Sequence, residues 1–180
     1  LFNHGRTYHF NRNYDNAEPL YLKALSIREK VLGKDHPDYA SSLHNLAYLK
    51  NDKGDYDEAE RLYLKAKSIR EKALGNEHMD YASTLNNLAN LYKDKGDYEK
   101  AELLYLQTLA IWKKLFGKEH RNYSLTLNNL ANLYIEKGVF DKAEPLLMEA
   151  LMIREKVLGK EHLDYAMSLN SLAKQKKKKR

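Results

Sequence analysis

The chain has 180 residues, with 31 Lys and Arg against 25 Asp and Glu for a formal charge of +6, 43% hydrophobic residues and no Cys. Lack of Cys excludes a disulfide scaffold, a thiolate zinc site and a cysteine nucleophile, and the mix of charged and apolar residues is that of a globular chain. No run approaches the roughly 18 apolar residues that a membrane-spanning helix needs; the polar stretch Leu1 to Asn16 carries no signal-peptide core, and a start at Leu is expected of a piece of something longer.

Gly33, Gly75, Gly117 and Gly159 lie 42 residues apart, and the same step relates Gly54, Gly96 and Gly138, Ala17, Ala59, Ala101 and Ala143, His36, His78, His120 and His162, and Tyr39, Tyr81, Tyr123 and Tyr165. The whole chain is therefore a 42-residue repeat, and each unit reads as two helices. Residues 1–12 are the remnant of an earlier first helix. A second helix follows near 14–32 and ends at Gly33. Pro37, suited to a first helical turn, opens a first helix near 37–53. Beyond Gly54, Asp55 is expected to cap a second helix near 56–74, with Glu58 completing a capping box. Its apolar stripe is Tyr56, Ala59, Leu62, Tyr63, Ala66 and Ile69, interrupted by Lys67, which is expected to snorkel to solvent. The next first helix, near 79–95, carries Tyr81, Leu85, Leu88, Ala89 and Tyr92 at helical spacing. Gly96 and Asp97 then stop it and cap a second helix near 98–116. One more pair follows near 121–137 and 140–158, and a last, unpaired first helix begins at 163. Pro19 and Pro145 lie near enough to a helix start to be tolerated. Each interrupting Gly is expected to close the preceding turn in the left-handed region.

A helical hairpin of this size cannot bury its apolar face alone, so neighbours must stack. The fold class expected is all-α: a right-handed superhelical solenoid of antiparallel helix pairs over residues 1–173, with a basic tail at 174–180. Ala47, Ala59, Ala89, Ala101, Ala131 and Ala143 allow close helix approach.

Residues 24–40 (Ala-Leu-Ser-Ile-Arg-Glu-Lys-Val-Leu-Gly-Lys-Asp-His-Pro-Asp-Tyr-Ala) and 83–92 (Ser-Thr-Leu-Asn-Asn-Leu-Ala-Asn-Leu-Tyr) resemble the 42-residue tetratricopeptide repeats of kinesin light chains. The resemblance covers nearly the whole chain. It implies a cytoplasmic, non-enzymatic adaptor that holds a peptide of a partner protein.

The candidate site is the side of the first helices opposite the core stripe. Taking Leu85 as zero and about 100° per residue, Ser83, Asn87, Asn90 and Asp94 fall on the far side. Their copies are Ser41, Asn45, Tyr48 and Asp52, then Leu125, Asn129, Asn132 and Glu136, with Asn3, Arg6 and Phe10 at one end and Met167, Ser171 and Lys174 at the other. An Asn amide offers donors and an acceptor, so it can pair with the backbone of an extended peptide. The resemblance implies that Asn45, Asn87 and Asn129 touch cargo peptide; the alternative is that they bridge helices or face water. The preceding Asn86, Asn128 and Asn170 point sideways.

Arg28, Arg70 and Arg154 recur once per repeat, with Trp112 in the remaining copy between Arg70 and Arg154. The resemblance implies that these Arg residues favour acidic peptides bearing Trp or Tyr, for which a planar guanidinium suits. The alternative pairs each with a nearby Glu29, Glu71 or Glu155, and Trp112 either anchors a ligand or packs between repeats.

One His per layer cannot converge on a zinc ion whose bonds are near 2.0–2.1 Å, so no metal or other cofactor is expected, and each His is read as organising the loop before a first helix. No phosphate loop, nucleophile elbow or paired-carboxylate signature is present, so neither an enzyme nor a small-molecule substrate is expected. Lys174, Lys176, Lys177, Lys178, Lys179 and Arg180 account for the whole excess of positive charge. Nucleic acid or an acidic surface is the rival partner through this tail, disfavoured because nothing in it could stack on a base. A third reading is a structural spacer that self-associates through exposed terminal repeats.

Overall fold

The computed structural model describes residues 13–179, so the expectations for residues 1–12, with Asn3, Arg6 and Phe10, lie outside the described residues, as does Arg180. Among the described residues there are eight α-helices and no strand: α1 (Tyr14–Leu32), α2 (Pro37–Asp52), α3 (Tyr56–Leu74), α4 (Met79–Asp94), α5 (Tyr98–Phe116), α6 (Arg121–Glu136), α7 (Phe140–Leu158) and α8 (Leu163–Lys179). First and second helices alternate.

The boundaries have local causes. α2 ends at Asp52, one residue before the expected 53, because Lys53 N–H bonds Leu49 O at 3.0 Å while Asp55 N–H reaches back to Lys50 O at 2.9 Å, closing the helix around Gly54 at φ +83°. α1 stops at Gly33, whose φ of 85° and ψ of 170° are open to glycine alone. First helices are capped by histidine: the Nδ1 atoms of His36, His78, His120 and His162 accept the N–H two residues on, at 3.0–3.2 Å. Asp97 caps α5 by accepting Lys100 N–H at 3.3 Å. The capping box at Asp55 does not form. Asp55 makes no side-chain cap bond, and the Glu58 carboxylate is taken by Arg61 at 2.6 and 2.9 Å.

The chain divides into two compact units, residues 1–91 and 92–180, with the line falling inside α4. In the N-terminal unit α1 and α3 pack on α2. Ala17, Ala40, Ala47, Ala59 and Ala66 have no exposed surface, so backbones approach closely, and Tyr21, Tyr39, Leu43, Leu46 and Tyr63 fill the space between them. In the C-terminal unit α6 packs on α5 and α7, and α8 closes on α7. Ala101, Ala131, Ala143 and Ala150 repeat the close approach around Tyr105, Leu127, Leu130 and Leu147. The same polar brace recurs in both units. Glu18 on α1 bonds Lys50 and Lys53 at 2.6 and 2.8 Å, which hold its carboxyl below the usual range. Glu102 on α5 accepts from Tyr134 at 2.8 Å and pairs with Lys137 at 3.3 Å. Lys67 lies over the Tyr81 ring at 5.5 Å and meets Glu71 at 3.4 Å.

α8 runs on to Lys179, so most of the expected tail is helix. Its Gln175 holds the position of Leu49, Leu91 and Leu133, is fully buried, and leaves both amide atoms without a hydrogen-bond partner. Each unsatisfied group costs about 1–3 kcal/mol. Gln175→Leu is therefore expected to stabilise the C-terminal unit by about 2 kcal/mol and to slow hydrogen exchange along α8. Unchanged exchange would show that the amide is hydrogen-bonded while α8 is closed.

Candidate functional site

The recurrent arginines hold the start of the next first helix. Arg28 Nη1 donates to Asp38 O at 3.1 Å and Ser42 Oγ at 2.8 Å. Arg70 Nη1 does the same to Asp80 O and Thr84 Oγ1 at 2.9 and 2.6 Å, and Arg154 Nη1 to Asp164 O and Ser168 Oγ at 2.6 and 2.8 Å. Each acceptor pair lies 10 and 14 residues beyond its arginine. The nearby glutamates are engaged elsewhere: Glu29 with Lys34, Glu71 with Lys67 and Glu155 with Lys160. Burial pushes the Arg70 and Arg154 guanidinium pKa down, against the pull of Asp80 and Asp164. Trp112 stands in the third slot, between Arg70 and Arg154, is 2% exposed, and stacks with Phe116 and His120 at 6.0 and 6.1 Å between centroids. In this repeat Thr126 Oγ1 donates to Asn122 O at 3.0 Å, as Thr84 Oγ1 does to Asp80 O at 2.9 Å beside Arg70.

In the N-terminal unit the structure brings several expected site residues together. Arg70 Nη2 donates to Ser41 Oγ at 3.0 Å, and Asn45 Nδ2 donates to Ser41 O at 2.6 Å. Between Arg70 and Asn87 sits His44, with its Nδ1 3.4 Å from Arg70 Nη1, its Nε2 3.0 Å from the Asn87 amide, and its ring edge-on to Tyr63 at 5.3 Å. Burial, with the Arg70 charge beside it, lowers the His44 pKa to about 3. The ring therefore stays neutral in the folded chain while an unfolded His protonates near 6.5. Below that pH the unfolded state binds the extra proton, so stability falls as pH drops from about 6.5 towards 3. His44→Asn, which installs the residue other repeats carry, removes this dependence. Relative to wild type it is expected to gain about 2 kcal/mol between pH 7.5 and pH 5 in denaturant titrations. Parallel pH profiles would contradict that environment for His44.

The other expected residues lie as follows. Tyr48 is 47% exposed, and Asn90, Asn129 and Asn132 are half-buried on their first helices. Ser83 Oγ donates to Met79 O at 2.9 Å. Asn86 and Asn128 are buried, and Asn170, on the last helix, is exposed. His44 is the residue that sequence reasoning passed over. It breaks the Leu-Asn-Asn-Leu motif at a phase unlike that of the four capping histidines, which was the available signal. The recurring hydroxyls Ser42, Thr84, Thr126 and Ser168 were the signal for the arginine clamp. Among the described residues no three His, Asp or Glu side chains gather where they could hold a metal ion, and no helix is long and apolar enough to cross a membrane.

The family model for the tetratricopeptide repeat matches residues 1–52, 43–114, 80–156 and 122–174. The chain is a tetratricopeptide repeat protein. Solved structures similar to this repeat protein include the nearly identical TPR-like repeats of a protein assigned as a kinesin light chain from Podosopora anserina, 28% identical, with a TM-score of 0.81 over 99% of this chain and 84% of that one. BtubC (BKLC) from P. vanneervenii is 25% identical, with a TM-score of 0.77 over 97% of this chain and 72% of that one. The apo form of RapI is 21% identical at a TM-score of 0.81, covering 99% of this chain and 62% of that one, a likeness of fold alone. No curated protein matches significantly. The tetratricopeptide repeats form an all-helical, solenoid-type scaffold for protein–protein interaction, in a family whose fold is not itself catalytic.

Proposed function

We propose that this tetratricopeptide protein is a cytoplasmic adaptor whose first helices hold an extended segment of a partner protein, in the manner of cargo recognition by kinesin light chains. The observation that carries the reading is the recurrence, in each unit, of half-buried amides opposite a buried apolar stripe: Asn45, Asn87 and Asn90 in one, Asn129 and Asn132 in the other. Amides at that depth supply hydrogen bonds to a peptide backbone without reading its side chains. Tyr48, exposed beside Asn45, offers a ring against which an aromatic anchor can pack. Within their own units Arg28, Arg70 and Arg154 add positive potential, which favours an acidic segment, although their donors chiefly clamp the next helix. Trp112 serves packing in this reading.

Fluorescence anisotropy with labelled acidic peptides carrying Trp or Tyr tests it. Binding that survives removal of 174–180 and declines only moderately with salt supports the adaptor reading. Binding lost with that segment, and falling steeply with salt, would transfer the function to the basic end.

A further inference from the structure

The two units close their buried arginines differently. In the N-terminal unit Ala40 precedes Ser41, whose hydroxyl takes Arg70 Nη2, and the Arg70 Nε is left without a partner. In the C-terminal unit the hydroxyl has moved by one residue. Ser124 Oγ lies 3.4 Å from Arg154 Nε, and Leu125 occupies the place of Ser41, so Arg154 Nη2 has no acceptor. Asn128 occupies the place of His44, and its Oδ1 has no donor. Arg154 is 1% exposed and Asn128 3%, so neither atom is answered by bulk water. The Asp164 carboxylate that could have neutralised Arg154 is bonded to Arg121 Nε at 2.8 Å. Buried polar groups are seldom left so, and one unanswered donor with one unanswered acceptor describes a complementary group.

Leu125 stands where Ser41 touches Arg70 Nη2, on the polar side of α6, and is 37% exposed. Leu125 is therefore itself at the surface and can change rotamer without unpacking the core. We propose that Leu125 covers a subsite for a side-chain carboxamide. When Leu125 swings aside, an Asn or Gln of the bound segment places its carbonyl oxygen on Arg154 Nη2 and its N–H on Asn128 Oδ1. A carboxylate satisfies the arginine but sets an acceptor against Asn128 Oδ1, and an aliphatic side chain leaves both atoms unanswered. The subsite rests on the reading of the first-helix face as the place where a segment lies.

The test uses the whole chain and three probes that share a backbone: N-acetylglutaminamide, N-acetylglutamic acid α-amide and N-acetylnorvalinamide. The Arg154 Nε–H and Leu125 methyl resonances are followed by NMR. The glutamine probe is expected to shift both, binding about tenfold more tightly than the other two. Leu125→Ser, which supplies the hydroxyl found at Ser41, is expected to abolish the response. Ser41→Leu combined with His44→Asn is expected to create one at Arg70. No response in wild type, a response that favours glutamate, or one that survives Leu125→Ser overturns the subsite. Peptide titration of Asn45, Asn87 and Asn129 variants, which leaves Arg154 and Leu125 untouched, shows separately whether the wider groove reading stands.

Discussion

Arg70→Ala lowers the stability of the N-terminal unit by about 4 kcal/mol. Three charge-assisted bonds are lost, to Asp80 O, Thr84 Oγ1 and Ser41 Oγ, and each such bond contributes about 1.5–3 kcal/mol. Releasing a buried guanidinium from its desolvation offsets part of the loss. At about 2–4 °C per kcal/mol for a chain of this size, the melting temperature drops by roughly 10 °C. Stability in a repeat array is a sum of local terms, so the damage concentrates where the clamp acted. Amides in the first turns of α4, Tyr81 to Leu85, are expected to exchange faster than those of α2. Arg70→Lys recovers less than half of the loss, because an ammonium cannot reproduce the fork that reaches a carbonyl and two hydroxyls. Glu71→Ala leaves stability within about 0.5 kcal/mol of wild type, since its 3.4 Å pair with Lys67 lies at the surface, where Glu71 is exposed. Calorimetry on the three variants separates this clamp from an arginine held by a neighbouring glutamate, for which Glu71→Ala would cost as much as Arg70→Ala.

How much was legible beforehand depends on how local each feature is. Helix number and boundaries were legible because Gly54, Gly75 and their copies punctuate an apolar period that repeats at 42 residues, and turn chemistry acts within a few residues. The ends of the first helices slipped by one because Lys53 and Lys137 complete the last turn without joining it. The box at Asp55 failed because Arg61, one turn further on, competes for Glu58. The site was harder to read. Helical phase places Asn45, Asn87 and Asn129 on one side of their helices, but it does not say what stands behind them. Arg70 and Arg154 act across helices, and the donors of a guanidinium find acceptors that no spacing within one helix specifies. Their partners were visible only as a correlation between distant positions, an arginine with a hydroxyl 14 residues later, and its exception at Trp112 keeps the hydroxyl of Thr126 and loses the arginine.

The proposed peptide face carries the second large effect. Replacing Asn45, Asn87 and Asn129 together by Ala removes three backbone-holding amides. With about 1 kcal/mol from each neutral hydrogen bond, the affinity for an extended peptide falls about 100-fold. The fold itself should survive. All three residues are only half-buried, and the helix-capping histidines, the alanine contacts and the Arg70 clamp do not involve them. Loss of Asn87 does remove the neighbour of His44 Nε2, so the variant is expected to melt within a few degrees of wild type rather than at the same temperature.

The most direct test of the central claim is the dissociation constant of one labelled acidic peptide bearing an aromatic residue, measured by anisotropy against wild type and this triple variant at matched helicity. A loss of about 100-fold with the helical signal intact is the predicted result. Equal affinity for the two proteins, with both folded, would contradict the claim that these amides hold the partner.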